Sequence, residues 1–194
     1  MYLVIISLLM VSPTDTNHTL NTLVWNTRGI MSCLLDQYSV NLALICEHKL
    51  SSHSREFLGL IHKDNNISVE SCSINPYNLA ACGKRGLAIL AKKTLPCYVS
   101  HIDTGGSDRI IGVELKYHNM SPIYFIGAYL PAANNRTVFM DSLSELDAIT
   151  SFYSSKGNII IAGEFNAPLP RDAIGTCVNS NPKRLVILLC DLIL

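Results

Sequence analysis

The stretch Asn158-Ile159-Ile160-Ile161-Ala162-Gly163-Glu164-Phe165-Asn166 decides the fold class of this chain. An apolar, β-branched run of strand length with no polar alternation reads as a strand buried on both faces. The run is released at Gly163, and a carboxylate and an amide follow at Glu164 and Asn166. On an extended backbone, residues two apart turn their side chains to the same face. The pair is thus suited to holding an attacking water at a strand end.

The same pattern recurs upstream. Leu42-Ala43-Leu44-Ile45-Cys46 is closed by Glu47-His48-Lys49, and Thr22-Leu23-Val24-Trp25 is closed by Asn26-Thr27-Arg28-Gly29. Residues 86–91, 98–102, 110–117 and 123–129 read as strands in quick succession. Helical spacing covers residues 30–38, and a second helix is expected over residues 51–60. Residues 75–86, rich in Asn, Pro and Gly, read as a loop. Asn134 and Asn135 cap a longer predicted helix over 136–153, with Val138, Phe139, Leu143, Leu146, Ile149 and Phe152 forming its buried face. Asn181-Pro182 is a cap-plus-first-position start for a last helix over 184–194. That helix would be apolar almost all round and must be covered. Strands and helices mixed in this order predict an α/β sandwich.

With 194 residues, no internal repeat and no low-complexity linker, the chain is expected to form one domain over residues 20–194 behind an apolar extension over 1–19. Apolar residues make up 48% and charged residues 15%, which excludes intrinsic disorder. No apolar window is long enough for a membrane span, so no membrane partner is expected. Lys plus Arg and Asp plus Glu balance at 15 each, and a non-specific nucleic-acid binder would carry a basic excess. Contacts with nucleic acid must be local; Lys84, Arg85, Lys92, Lys93, Arg136, Arg171, Lys183 and Arg184 are the available cations.

Seven cysteines with no CxxC pair argue against zinc ribbons and redox motifs and fit a reducing, intracellular compartment. The opening MYLVIISLLMVS has the length of a signal-peptide core but lacks a basic start and a clear small-x-small site. Four Asn-x-Ser/Thr triplets, at Asn17, Asn66, Asn119 and Asn135, leave a secreted alternative in view. Dinucleotide and phosphate-loop glycine motifs, the GxSxG elbow and HExxH are absent from the sequence.

What remains is a set of polar residues at the ends of buried strands: Asn26, Glu47, Tyr129, Glu164 and Asn166. Strand ends are where side chains leave an α/β core together, and carboxylates with carboxamides are the hard oxygen donors that Mg²⁺ selects. Taken singly, each residue has a plainer reading. Glu47 is a solvated loop carboxylate, Asn26 and Asn166 are turn formers, and Tyr129 is a half-buried strand end. His48 packs or faces solvent, and Ser107-Asp108-Arg109 is a turn with an ion pair.

Four segments in this order resemble the motifs of the endonuclease/exonuclease/phosphatase superfamily: Trp25-Asn26-Thr27-Arg28-Gly29, Ile45-Cys46-Glu47-His48-Lys49-Leu50, Tyr129-Leu130-Pro131 and Gly163-Glu164-Phe165-Asn166-Ala167. Within it they are most similar to the apurinic-endonuclease-like domain of non-LTR retrotransposons. The resemblance implies a four-layer sandwich of two β-sheets flanked by helices, and metal-dependent hydrolysis of phosphate esters. It implies Mg²⁺, or Mn²⁺, held by Glu47 with support from Asn26. Tyr129 would donate to a phosphate oxygen, Arg109 would bind phosphate, Asn166 would orient water, and Glu164 would act as base or secondary metal group. DNA is the implied partner, with a monomeric enzyme in the nucleus. A secreted phosphodiesterase or phosphatase of the same superfamily is the alternative.

Two departures accompany the resemblance. Glu164 stands where the family motif has Asp, and the last histidine is His118, so the family's C-terminal Asp–His pair has no counterpart. The expectation is a C-terminally truncated domain with impaired or abolished activity, at most a weak nucleic-acid binder.

Overall fold

The computed structural model describes residues 2–11, 17–26, 33–48, 58, 60, 64–73, 84–132, 135–166 and 185–189. They form two five-stranded sheets. The first runs in the order β1 (Tyr2–Val11), β2 (Asn17–Asn26), β3 (Leu42–Cys46), β5 (Lys84–Lys92), β4 (Asn65–Ser73). The second runs β10 (Leu185–Leu189), β9 (Asn158–Glu164), β8 (Ile123–Tyr129), β7 (Ile110–Lys116), β6 (Tyr98–His101). Pairings β2–β3, β8–β9 and β9–β10 are parallel and the others antiparallel. Helix α1 spans Cys33–Gln37 and helix α2 spans Arg136–Ser154.

Alternation along the strands sorts the side chains into layers. Leu42, Leu44 and Cys46 of β3 meet Val113, Phe125, Ile160 and Ala162 in one core between the sheets. The neighbouring Ala43 and Ile45 point outward and pack with Leu35 and Leu58. On the far side, Tyr124, Ile126, Ile159 and Ile161 pack against Leu146 and Tyr153 of α2. Helix, sheet, sheet, helix is the predicted α/β sandwich. Gly127 sets the spacing near one rim, because a side chain there would run into Leu44 of the facing sheet. This close approach, two residues before Tyr129, brings the strand ends of the sheets within side-chain reach.

Strands β3 and β8 coincide with their sequence-based bounds. Helix α2 starts after Asn135, whose side chain accepts from the Val138 amide at 3.5 Å. Its buried stripe differs from the expected one. Leu146 and Tyr153 are buried with Ser142, and Phe139 and Ile149 are partly covered, whereas Val138, Leu143 and Phe152 are exposed. Positions 139, 142, 146, 149 and 153 keep the alternating three- and four-residue step, so the stripe is rotated rather than lost. Ser142 fits it because its hydroxyl donates to the Val138 carbonyl at 2.8 Å. Phe152 is accommodated outside by the Lys156 ammonium, 3.6 Å above its ring.

The predicted last helix is corrected over Leu185–Leu189, which forms β10 beside β9. A short continuous apolar run serves a buried parallel strand as well as a helix, and the pairing edge of β9 decides between them. Residues 190–194 lie outside the described residues. Tyr2–Val11, read as an extension, pairs along its length with β2. The expected helix over 51–60 falls, apart from Leu58 and Leu60, outside the described residues.

Candidate active site

Arg109, just before β7, stands beside Tyr129 of β8 and Glu164 of β9 at one rim of the second sheet. Tyr129 is the register partner of Glu164. On its other flank, the Tyr129 amide donates to the Arg109 carbonyl at 2.9 Å and an Arg109 guanidinium nitrogen donates back to the Tyr129 carbonyl at 3.4 Å. Ser107 fixes the approach to this rung, since its hydroxyl accepts from the amides of Arg109 and Ile110, each at 3.2 Å, and donates to Glu145 of α2 at 3.1 Å. Arg109 is buried, with the exposed Asp108 carboxylate 4.0 Å away. Arg109 is thus bonded to the Tyr129 backbone on one flank, and the Glu164 carboxylate acts on the Tyr129 phenol from the other.

The facing sheet contributes Glu47. Continued alternation along β3 would send this side chain outward, after Cys46 in the inter-sheet core. Glu47 instead adopts a left-handed backbone, φ 56°, which ends the alternation. Its Oε1 accepts from the Tyr129 hydroxyl at 2.6 Å, across the gap between the sheets. Asn166, also left-handed at φ 50°, donates from its side-chain amide to the Leu130 carbonyl at 2.8 Å and is hydrogen-bonded to Tyr129. Burial, the bond to Glu47 and the charges of Glu47 and Glu164 together push the Tyr129 phenol far above its usual range, against a small opposing effect of Asn166. At neutral pH this hydroxyl is a firm donor.

Asn26 ends β2 opposite Cys46, on the rung just before Glu47. Thr27–Gly29, Lys49, Leu50, Ala167, Arg171, Lys183 and Arg184 lie outside the described residues. Two glycines support the rim: Gly163 of the fourth motif, packed against the Ala128 backbone, and Gly86, which lies outside every motif, beneath the buried His48 ring. Their signal in sequence is a glycine at a strand terminus, where a positive φ or a close approach is most often needed.

Among the described residues, no group of three or more His, Cys, Asp or Glu side chains is gathered to hold a metal. The oxygen donors at the rim, two carboxylates and an amide, still suit an ion that takes one or two carboxylates and keeps its waters, as Mg²⁺ does. They do not suit a sulfur- or imidazole-rich zinc site.

Solved structures share this fold. The endonuclease domain of TRAS1, a telomere-specific non-LTR retrotransposon, aligns with TM-score 0.54 and 13% identity, over 76% of this chain and 59% of that one. An AP endonuclease from Leishmania major aligns with TM-score 0.59 and 13% identity, over 81% and 58%. An AP endonuclease from Archaeoglobus fulgidus aligns with TM-score 0.51 and 15% identity, over 81% and 61%. The chain has the endonuclease/exonuclease/phosphatase fold. It spans about three fifths of the length of these structures (59%, 58% and 61%). Its sequence matches no family model and no curated protein. The described helices include none long and apolar enough to cross a membrane. Within the endonuclease/exonuclease/phosphatase fold of this chain, Glu47, Tyr129, Glu164, Asn166 and Arg109 gather at one rim, with the β2 terminus at Asn26 beside them.

Proposed function

We propose that the chain carries a divalent-metal-dependent phosphodiesterase site of the endonuclease kind, of retroelement origin, acting on DNA as a monomer. The reading is supported above all by the Tyr129 hydroxyl, 2.6 Å from Glu47 and within the electrostatic reach of Glu164. Convergence of groups so distant in sequence on a single phenol is more than turn formation requires.

In this reading Glu47 and Asn26 hold Mg²⁺, which Mn²⁺ could replace. When bound, the ion supplies charge that stabilises a phosphate and its leaving oxygen. The chain's own groups do the rest. Tyr129 exchanges its bond to Glu47 for a non-bridging phosphate oxygen and stays protonated while it donates. Arg109, buried behind Tyr129, sets a positive charge beneath the phosphate. Asn166 orients the attacking water, and Glu164 takes its proton.

Supercoiled plasmid with Mg²⁺ provides the test. The chain nicks it and Glu47→Ala does not; equal nicking by both defeats the proposal. Glu164, one methylene longer than the motif's Asp, favours a second reading in which the same rim binds DNA phosphates without turnover. Salt-dependent binding with no nicking by either protein selects that reading.

A further inference from the structure

The left-handed turn at Glu47 is held from one side by its neighbour. The His48 amide donates to the Gly86 carbonyl at 3.3 Å, one rung beyond the pairing of Cys46 with Leu87. The buried His48 ring then lies directly on the Gly86 α-carbon: a methyl group there would come within 2.6 Å of Nε2 and 2.7 Å of Nδ1. Gly86 has φ 98°, which side-chain-bearing residues rarely adopt. Glu47 thus stands between Cys46, locked in the inter-sheet core, and an imidazole seated on β5. With both neighbours fixed, the Glu47 backbone is held in the left-handed conformation from which its carboxylate reaches the Tyr129 hydroxyl.

We infer that His48, seated on Gly86, is the positioning residue that keeps the Glu47 carboxylate in the cleft, so that the space over Gly86 governs the metal site of the proposed hydrolase. The link to metal rests on the reading of Glu47 given above; the positioning of Glu47 does not.

The test uses the full chain with ¹³Cζ-labelled tyrosine, without metal, and the Tyr129 resonance identified by its loss in Tyr129→Phe. Glu47→Ala removes the acceptor and sets the full displacement of that signal. His48→Ala and Gly86→Ala each move it at least half as far, and Gly86→Ala adds little once His48 is alanine. If Gly86→Ala does not fold, His48→Ala alone decides. A Tyr129 signal that stays in place in a folded His48→Ala protein, or that is unmoved by Glu47→Ala, overturns the inference. Mn²⁺ binding followed by EPR then separates the two proposals. His48→Ala weakens it about tenfold if Glu47 is the ligand. Mn²⁺ affinity that ignores Glu47→Ala removes the metal reading and leaves the positioning role to stand on the tyrosine signal.

Discussion

Gly163 and Ala128 are register partners in β9 and β8, packed so closely that a side chain on Gly163 would overlap the Ala128 carbonyl oxygen. Gly163 also has φ 151°. The next rung pairs Tyr129 with Glu164, so this contact aligns the rim. Gly163→Ala is expected to part the strands at about 3 kcal/mol or more, through strain and overlap together. Gly105→Ala is the control: it has φ 70° but open space around it, and should cost only about 1 kcal/mol. Urea unfolding of both compares them, and equal losses would refute the packing argument.

Helix α2 offers a second comparison. Leu146 is buried against the second sheet and Leu143 is 38% exposed, although both belong to the apolar face expected from sequence. Leu146→Ala should cost about 2–4 kcal/mol and Leu143→Ala less than about 1 kcal/mol. Thermal or denaturant melting measures both. Similar losses would restore the face read from periodicity.

That contrast shows what the sequence made legible. Strands β3 and β8 were readable because apolar runs buried on both faces end abruptly at polar residues. The stripe of α2 was not, because Ser142 and Tyr153 are placed by partners: the Val138 carbonyl, and the Tyr124 ring with the Asp103 carbonyl. Neither partner is visible in a spacing pattern. Edge strand β4, Asn65–Ser73, is largely polar, and its Ile67 and Val69 are too few to mark a strand among polar neighbours. At the rim, strand ends pointed to Glu47, Tyr129, Glu164 and Asn166. The left-handed turn that swings Glu47 inward and the burial of Arg109 depend on the facing sheet and the neighbouring strand.

Tyrosine burial gives the fold an alkaline limit. Burial, reinforced by the hydrogen bond and charge of Glu114, raises the Tyr124 phenol from its ordinary value of 10.0 to about 12, with its hydroxyl donating to Glu114 at 3.0 Å. Tyr117 and Tyr129 are raised further, chiefly by burial. Between the ordinary value and these raised ones, the folded chain holds protons that the unfolded chain has lost, so stability falls as pH rises. The contribution is fully present below pH 10 and is lost through pH 12 and above. Unfolding midpoints measured across that range should decline, and Tyr124→Phe should make the decline shallower. A flat profile would remove the argument.

Glu164 and the site's efficiency supply the last prediction. The residue ends β9 in register with Tyr129, so its backbone position is set by the sheet and only the side-chain length differs from the Asp of the motif it resembles. One methylene displaces the carboxylate by about a bond length, and an error of about 1 Å in a catalytic group can cost about 10²-fold in rate. Glu164→Asp should therefore raise Mg²⁺-dependent plasmid nicking by about 10- to 100-fold while leaving the melting temperature nearly unchanged. Glu47→Ala in the Glu164→Asp background should abolish the gain, because the water-activating carboxylate is useful only where phosphate and metal are held. Nicking by Glu164→Asp no faster than by the parent chain would mean that carboxylate reach at Glu164 does not limit the reaction, and the role of Glu164 as the proton acceptor would fall with it.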